Sequence, residues 1–173
     1  MRLRNDKMKW SDNMALRNIV KEGDPILLKK CRPVEKFDKK LWDLLDDIVE
    51  TLAESNGVGL AAPQVGIMRR ICVIDVGDGP IEFVNPVILE TNGEQRVQEG
   101  CLSCPGEFGI ITRPAHVKAR FQDRNGNFCE LEGDELLAQA MCHEFDHLDG
   151  ILFKTKVERM LTEEELREMR EEE

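Results

Sequence analysis

Two hydrophobic rhythms alternate along the chain. Leu41, Leu44, Leu45, Ile48 and Leu52 recur three and four residues apart, the period of one helical face, with Asp38 placed to cap the first turn and Asn56-Gly57 placed to stop it near residue 55. A second helix is predicted from about Asp134 to Leu148. Its apolar positions, Leu136, Leu137, Ala140, Met141, Phe145 and Leu148, cover most of the circumference, as in a helix buried in the middle of a fold; Gly150 ends it. Thr162-Glu163-Glu164-Glu165 is a capping box that opens a charged terminal helix over 162–173.

Between these helices the pattern turns strand-like. Ala15 to Val20 predicts a short strand before the turn at Gly23-Asp24-Pro25. Arg70 to Val76 and Ile81 to Val84 flank Gly77-Asp78-Gly79-Pro80, and a further strand is expected around Val87 to Glu90. Val117 to Phe121 and Asn127 to Leu131 flank Asp123-Arg124-Asn125-Gly126, a hairpin signal. Residues 1–13 carry no hydrophobic period and read as a loose extension, with Met14 a candidate initiator; residues 14–173 read as one domain, without repeats or a second core. The expectation is an α+β fold: small mixed, largely antiparallel sheets around the buried helix, plus the C-terminal helix.

Composition narrows the function classes. The 173 residues are 41% hydrophobic and 34% charged, enough for one substantial core, and no apolar run approaches a membrane span. A net charge of -10 excludes broad DNA or RNA binding through a basic surface. Residues 158–173, with eight Glu and three Arg, supply about half of that charge. The polar N-terminus is unlike a signal peptide, so a cytoplasmic location is expected, and there six cysteines are thiols or ligands rather than disulfides. Cys31, Cys72, Cys129 and Cys142 fit burial as small hydrophobes. Cys101 and Cys104 differ, lying among Gly and Pro where a loop or strand end could present a sulfur.

The chemistry centres on His143-Glu144-Phe145-Asp146-His147. Imidazoles at i and i+4 project from one helix face close enough to share a divalent cation, while Glu144 lies about 100° round and can reach water beside the metal without ligating it. A catalytic metal needs a third protein ligand and an open position. His116, a carboxylate or a cysteine could serve; His116 is more simply a surface residue, and Cys101 is favoured because a Gly-flanked loop can bring its thiolate to the helix. The stretch Gly57-Val58-Gly59-Leu60-Ala61-Ala62-Pro63-Gln64 allows close approach of another backbone or a ligand. It is a poor phosphate loop, having no Lys-Ser/Thr after it and no strand before it.

Three stretches together carry a family resemblance: residues 57–64, Glu99-Gly100-Cys101-Leu102-Ser103, and His143 through Gly150. In order and approximate spacing the chain resembles the peptide deformylases of bacterial type over residues 15–160. The resemblance implies a hydrolase that removes the formyl group from N-formylmethionyl nascent peptides and releases formate. It implies one divalent metal held by Cys101, His143 and His147 with water as fourth ligand, iron(II) being the expected ion, with zinc, nickel and cobalt able to occupy such a site. The ion would lower the pKa of its water, with Glu144 as general base and then general acid. The Gln64 side-chain amide and the Leu102 backbone N–H would bind the oxyanion. Gly57, Val58, Gly59 and Leu60 would form the substrate-binding segment, pairing with the peptide in strand fashion, Val58 lining the methionine pocket. Glu99 and Arg113 would be a supporting ion pair that orients the ligand loop.

Two departures stand out. Cys104 replaces what is more often an aliphatic residue, creating a Cys-x-x-Cys, and the acidic terminus departs from the basic helix that some family members dock on ribosomal RNA. Transient ribosome association therefore remains an expectation only by some other surface. Two rival readings exist. A structural zinc site of Cys101, Cys104, His143 and His147 would need a 38-residue gap far longer than finger spacing, and would leave Glu144 without a use. A zinc endopeptidase would share the helix but take His or Glu as third ligand.

Overall fold

The computed structural model describes residues 15–173; the extension expected over residues 1–13, with its boundary at Met14, lies outside the described residues. The elements run α1 (Lys39–Ala53), β1 (Gly59–Ala61), β2 (Ile71–Ile74), β3 (Ile81–Asn92), β4 (Gln95–Cys101), β5 (Cys104–Arg113), β6 (His116–Gln122), β7 (Phe128–Asp134), α2 (Glu135–Leu148), β8 (Arg159–Met160) and α3 (Glu163–Glu171). One antiparallel sheet has the order β1-β2-β3-β6-β7, the other β4-β5-β8, so the α+β expectation holds.

All four side chains of β2 are buried, which demands cover on both faces of the sheet. Ile71 and Val73 pack with Leu41, Leu45, Ile48 and Leu52 of α1; Cys72 and Ile74 pack with Ala138, Met141, Phe145 and Leu148 of α2. A 15-residue helix such as α1 is marginal alone, and burial worth about 1.5–3 kcal/mol for each large apolar side chain is what fixes it. Asp38 caps it as expected, its carboxylate accepting from Leu41 N. Helix α2 is buried along most of its length and ends at Gly150, where φ is +73° and a Cβ would stand 2.6 Å from the Leu28 carbonyl carbon. Helix α3 carries the expected capping box and lays Leu166 and Met169 against Phe108 and Ile110 of the three-stranded sheet.

Several expectations are corrected. Residues 15–20 form no strand: Ala15 N donates to the Asp47 carboxylate, Arg17 N to the Thr51 hydroxyl and Val20 N to the Gln64 carbonyl, so the segment is extended but tied to α1 and the site rather than to a ladder. The strands expected at 81–84 and 87–90 are one, β3, with a register shift at Asn85-Pro86. Asn85 takes φ +51°, and its side chain accepts from Val34 N (2.8 Å) and donates to Val34 O and Gln122 Oε1 (2.9 Å each), which stabilises the bulge. Of the loop or strand end expected around Cys101 and Cys104, the structure has strand ends, at the tip of the β4–β5 hairpin. Its strands and β8 escaped the periodicity because Glu99, Gly100, Gly106 and Gly109 interrupt the apolar alternation. Cys129 is only half-buried on β7, unlike Cys31, Cys72 and Cys142.

The Asn85 bulge generates a stability prediction. Asn85→Ala should cost about 2–4 kcal/mol, from lost hydrogen bonds and a left-handed backbone without its compensation, and Asn85→Gly less. Urea unfolding checks this; an alanine variant as stable as the parent would overturn it.

Candidate active site

Helix α2 presents His143, Glu144 and His147 towards β1 and the hairpin tip, at 8%, 3% and 1% exposure. Three donor atoms converge there. Cys101 Sγ lies 3.3 Å from His147 Nε2, and His147 Nε2 lies 3.2 Å from His143 Nε2. A four-coordinate ion with ordinary bond lengths would set its donors about 3.3 Å (N to N) and about 3.6 Å (S to N) apart, so the residues fit such a group. Cys104 is outside this cluster and groups instead with Glu22 and Glu107. His116 is remote, bonded to Asp134 at 2.7 Å on the β6–β7 ladder.

The protonation of each donor has a visible cause. His143 Nδ1–H donates to Glu99 Oε2 at 2.8 Å, which turns the Nε2 lone pair into the cluster. Burial disfavours a charge on Glu99, but the hydrogen bonds from His143 and Arg113 outweigh it and hold the carboxyl at about 2. Burial also opposes the protonation of His143, whereas the bond to Glu99 and the nearby Glu144 raise its pKa. His147 is lowered well below the ordinary imidazole range by burial and then by His143, so it is neutral and free to ligate. The Cys101 thiol is raised by its hydrogen bond with Cys104 and by burial; a nearby cation is what would draw the proton off.

Glu144 is pushed up to about 7 by burial, and its Oε2 is buried without a hydrogen-bond partner among the described residues. Its Oε1 stands 3.9 Å from His143 Nε2. The carboxylate sits where Gly59 leaves room: a Cβ on Gly59 would lie 2.6 Å from Glu144 Oε1, and one on Gly57 would lie 2.7 Å from Leu102 Cδ1. Gln64 is almost fully buried; its Oε1 accepts from Ala61 N at 2.9 Å, while Nε2 points to Cys101 Sγ at 3.5 Å and donates to Ser103 Oγ at 3.1 Å.

A cleft of about 480 Å³ opens beside these groups between Gly57-Val58-Gly59 and the hairpin, with Phe108 and Leu136 at its apolar wall. Strand β1 is an edge strand there, free to pair on its outer side. Leu60 is not brought to the cleft by its side chain: strand alternation turns it into the α1 core, fully buried.

Glu99 and Arg113 do meet, through Nε (3.1 Å) and Nη2 (2.7 Å), both residues buried. Sequence reasoning missed what extends this pair. Asp146 Oδ2 accepts from Arg113 Nη1 at 2.8 Å, and Gln139 Nε2 bonds the Gln98 carbonyl. An acidic residue on an otherwise buried helix was the available signal for Asp146. Ser103, the partner of Gln64, left none.

A buried His-Glu-x-x-His helix facing a cysteine and an open cleft is the layout of a metal-dependent hydrolase. The chain belongs to the polypeptide deformylase family, whose profile matches residues 16–163. It is 59% identical over 148 residues to the peptide deformylase of Agathobacter rectalis, covering 86% of this chain and 94% of that one. With the peptide deformylase of Caldanaerobacter subterraneus the identity is 52% over 158 residues, covering 91% and 99%. The crystal structure of peptide deformylase from Thermotoga maritima superposes with a TM-score of 0.82 at 41% identity, covering 84% of this chain and 99% of that chain. The protein is thus a hydrolase that removes the N-formyl group from nascent peptides, in a family that depends on a metal.

The contact between Gly59 and Glu144 can be tested by a double change. Gly59→Ala should cost about 1–3 kcal/mol by overpacking and reduce turnover, and Glu144→Ala in the same chain should recover most of the stability. Additive losses in thermal denaturation would show that the two groups do not touch.

Proposed function

We propose that Cys101, His143 and His147 hold one divalent ion and that Glu144 moves the proton of the deformylation reaction. The observation that carries this is the convergence of Sγ and two Nε2 atoms beside a buried carboxylate oxygen with no partner among the described residues. The ion would supply Lewis acidity, polarising the formyl carbonyl and acidifying water. Iron(II) is the proposed ion on the family resemblance; the mixed sulfur and nitrogen donor set does not choose between it and zinc, nickel or cobalt.

Glu144, poised near neutrality, takes the proton of the attacking water and passes it to the departing amine nitrogen, so that formate and a free amino terminus leave. Gln64 Nε2 and the Leu102 N–H stabilise the oxyanion, and the fixed Gln64 Oε1 supports that role because it leaves the amide no freedom to swing away. The formylated peptide adds to the free edge of β1, where Gly57 and Gly59 admit its backbone and Val58 borders the methionine side chain; Leu60 contributes main chain only. Glu99 orients His143, and Arg113 holds Glu99.

Residues 14–173 form the proposed catalytic unit, working in the cytoplasm on nascent chains. No helix among the described residues is long and apolar enough to cross a membrane. Any ribosome contact is assigned to a surface other than the acidic tail, and DNA is not a proposed partner.

Glu144→Gln should lower formate release by about 10²–10⁴-fold with the metal retained. Cys101→Ala should lose the metal and Cys104→Ala should keep it. Anaerobic metal analysis with a formate assay on formyl-Met-Ala-Ser and its acetyl counterpart reads all three; metal loss in both cysteine variants, or equal cleavage of the two peptides, would refute the proposal.

A further inference from the structure

We infer that Cys101 and Cys104 are a reversible redox modification site, closing to a disulfide across the hairpin tip when a hydroperoxide reaches the cleft. The two residues are directly opposed in the β4–β5 ladder, with only Leu102 and Ser103 between them. Opposed residues of an antiparallel pair have Cα atoms about 4.5–5.5 Å apart, inside the range of about 4.4–6.8 Å that a disulfide spans. All six cysteines are free.

Their surroundings divide the work. Cys101 is half-buried at the cleft, open to a small oxidant, whereas Cys104 is 2% exposed and sits beside Glu22 and Glu107, both of which are bonded to Lys154. In the first step the Cys101 sulfur takes one oxygen from the hydroperoxide, giving a sulfenic acid and an alcohol, or water from hydrogen peroxide. In the second the Cys104 sulfur attacks that sulfur; the S–S bond forms, the S–O bond breaks, and hydroxide leaves as water with the Cys104 proton. Two thiols lose two electrons and the hydroperoxide gains them. A dithiol reverses the change by exchange.

Closure removes the Cys101 sulfur from the donor cluster, because a disulfide sulfur is no longer an anionic ligand. It also protects that sulfur, since the sulfenic acid is consumed before further oxygen can add. The consequence for the metal rests on Cys101 being a ligand; the disulfide itself does not, so the two can fail separately.

The test treats the whole protein, metal-stripped and metal-loaded, with hydrogen peroxide and maps residues 97–118 by mass after alkylation. In the parent chain this peptide should become about 2 Da lighter, resist alkylation, and regain both thiols in dithiothreitol. In Cys104→Ala and Cys104→Ser the Cys101 sulfur should instead gain about 32 or 48 Da and return at least fivefold less thiol, on the order expected for irreversible oxidation. In the loaded parent, metal release should keep pace with the lighter peptide. Heavier products in the parent chain, or equal thiol recovery in the variants, would overturn the proposal. Disulfide formation with the metal fully retained would instead overturn Cys101 as a ligand.

Discussion

Everything at the site hangs on the buried charge of Glu99. An ionised carboxylate removed from water costs several kcal/mol unless it is paired and hydrogen-bonded. Glu99 meets that demand twice, with two bonds from Arg113 and one from His143. Arg113 carries the same demand and satisfies its remaining nitrogen on Asp146 of α2. The hairpin cannot drift from the helix without stranding one of these charges. Because Cys101 lies two residues beyond Glu99 on β4, the same constraint sets its sulfur against the two imidazoles. The Glu99–Arg113 pair thereby fixes the distances between the three converging donor atoms.

The second constraint is space. Helix α2 sits close enough to β1 that Glu144 occupies the volume a side chain at Gly59 would fill, while α1 covers the other face of the sheet. Desolvation follows from the same close approach: it is the largest cause of the raised Glu144 pKa. A carboxyl near 7 can accept and return a proton at neutral pH, which an exposed glutamate would do poorly. The close packing and the raised pKa of Glu144 are here one arrangement described in two ways.

What the sequence made legible follows the strength of local signals. The helices α1, α2 and α3 were visible because burial and capping act within a few residues, and the candidate ligands His143 and His147 because i, i+4 spacing on a helix is a local geometry. The β4–β5 hairpin was not, since its strands are specified by partners rather than by alternation: Glu99 points inward to pair with Arg113, and Gly109 yields to Val157. Residues 15–20 looked like a strand and are held as an extended segment by side-chain acceptors far away in the chain. Leu60 was grouped with its glycine neighbours because sequence adjacency conceals which face of a three-residue strand each side chain takes. Asp146 and Ser103 became readable only once Arg113 and Gln64 had been placed.

The acidic terminus shows how charge and packing separate on one element. Leu166 and Met169 face Phe108 and Ile110, so α3 braces the outer sheet that carries the β4–β5 hairpin, and Glu165 is committed to its own cap and to Arg159. Its other carboxylates have no comparable partner in that packing and face water. A helix anchored by its apolar side and acidic on its outer side repels a phosphate backbone rather than attracting it. What its packing contributes is mechanical: it braces β5, and through β5 the hairpin tip.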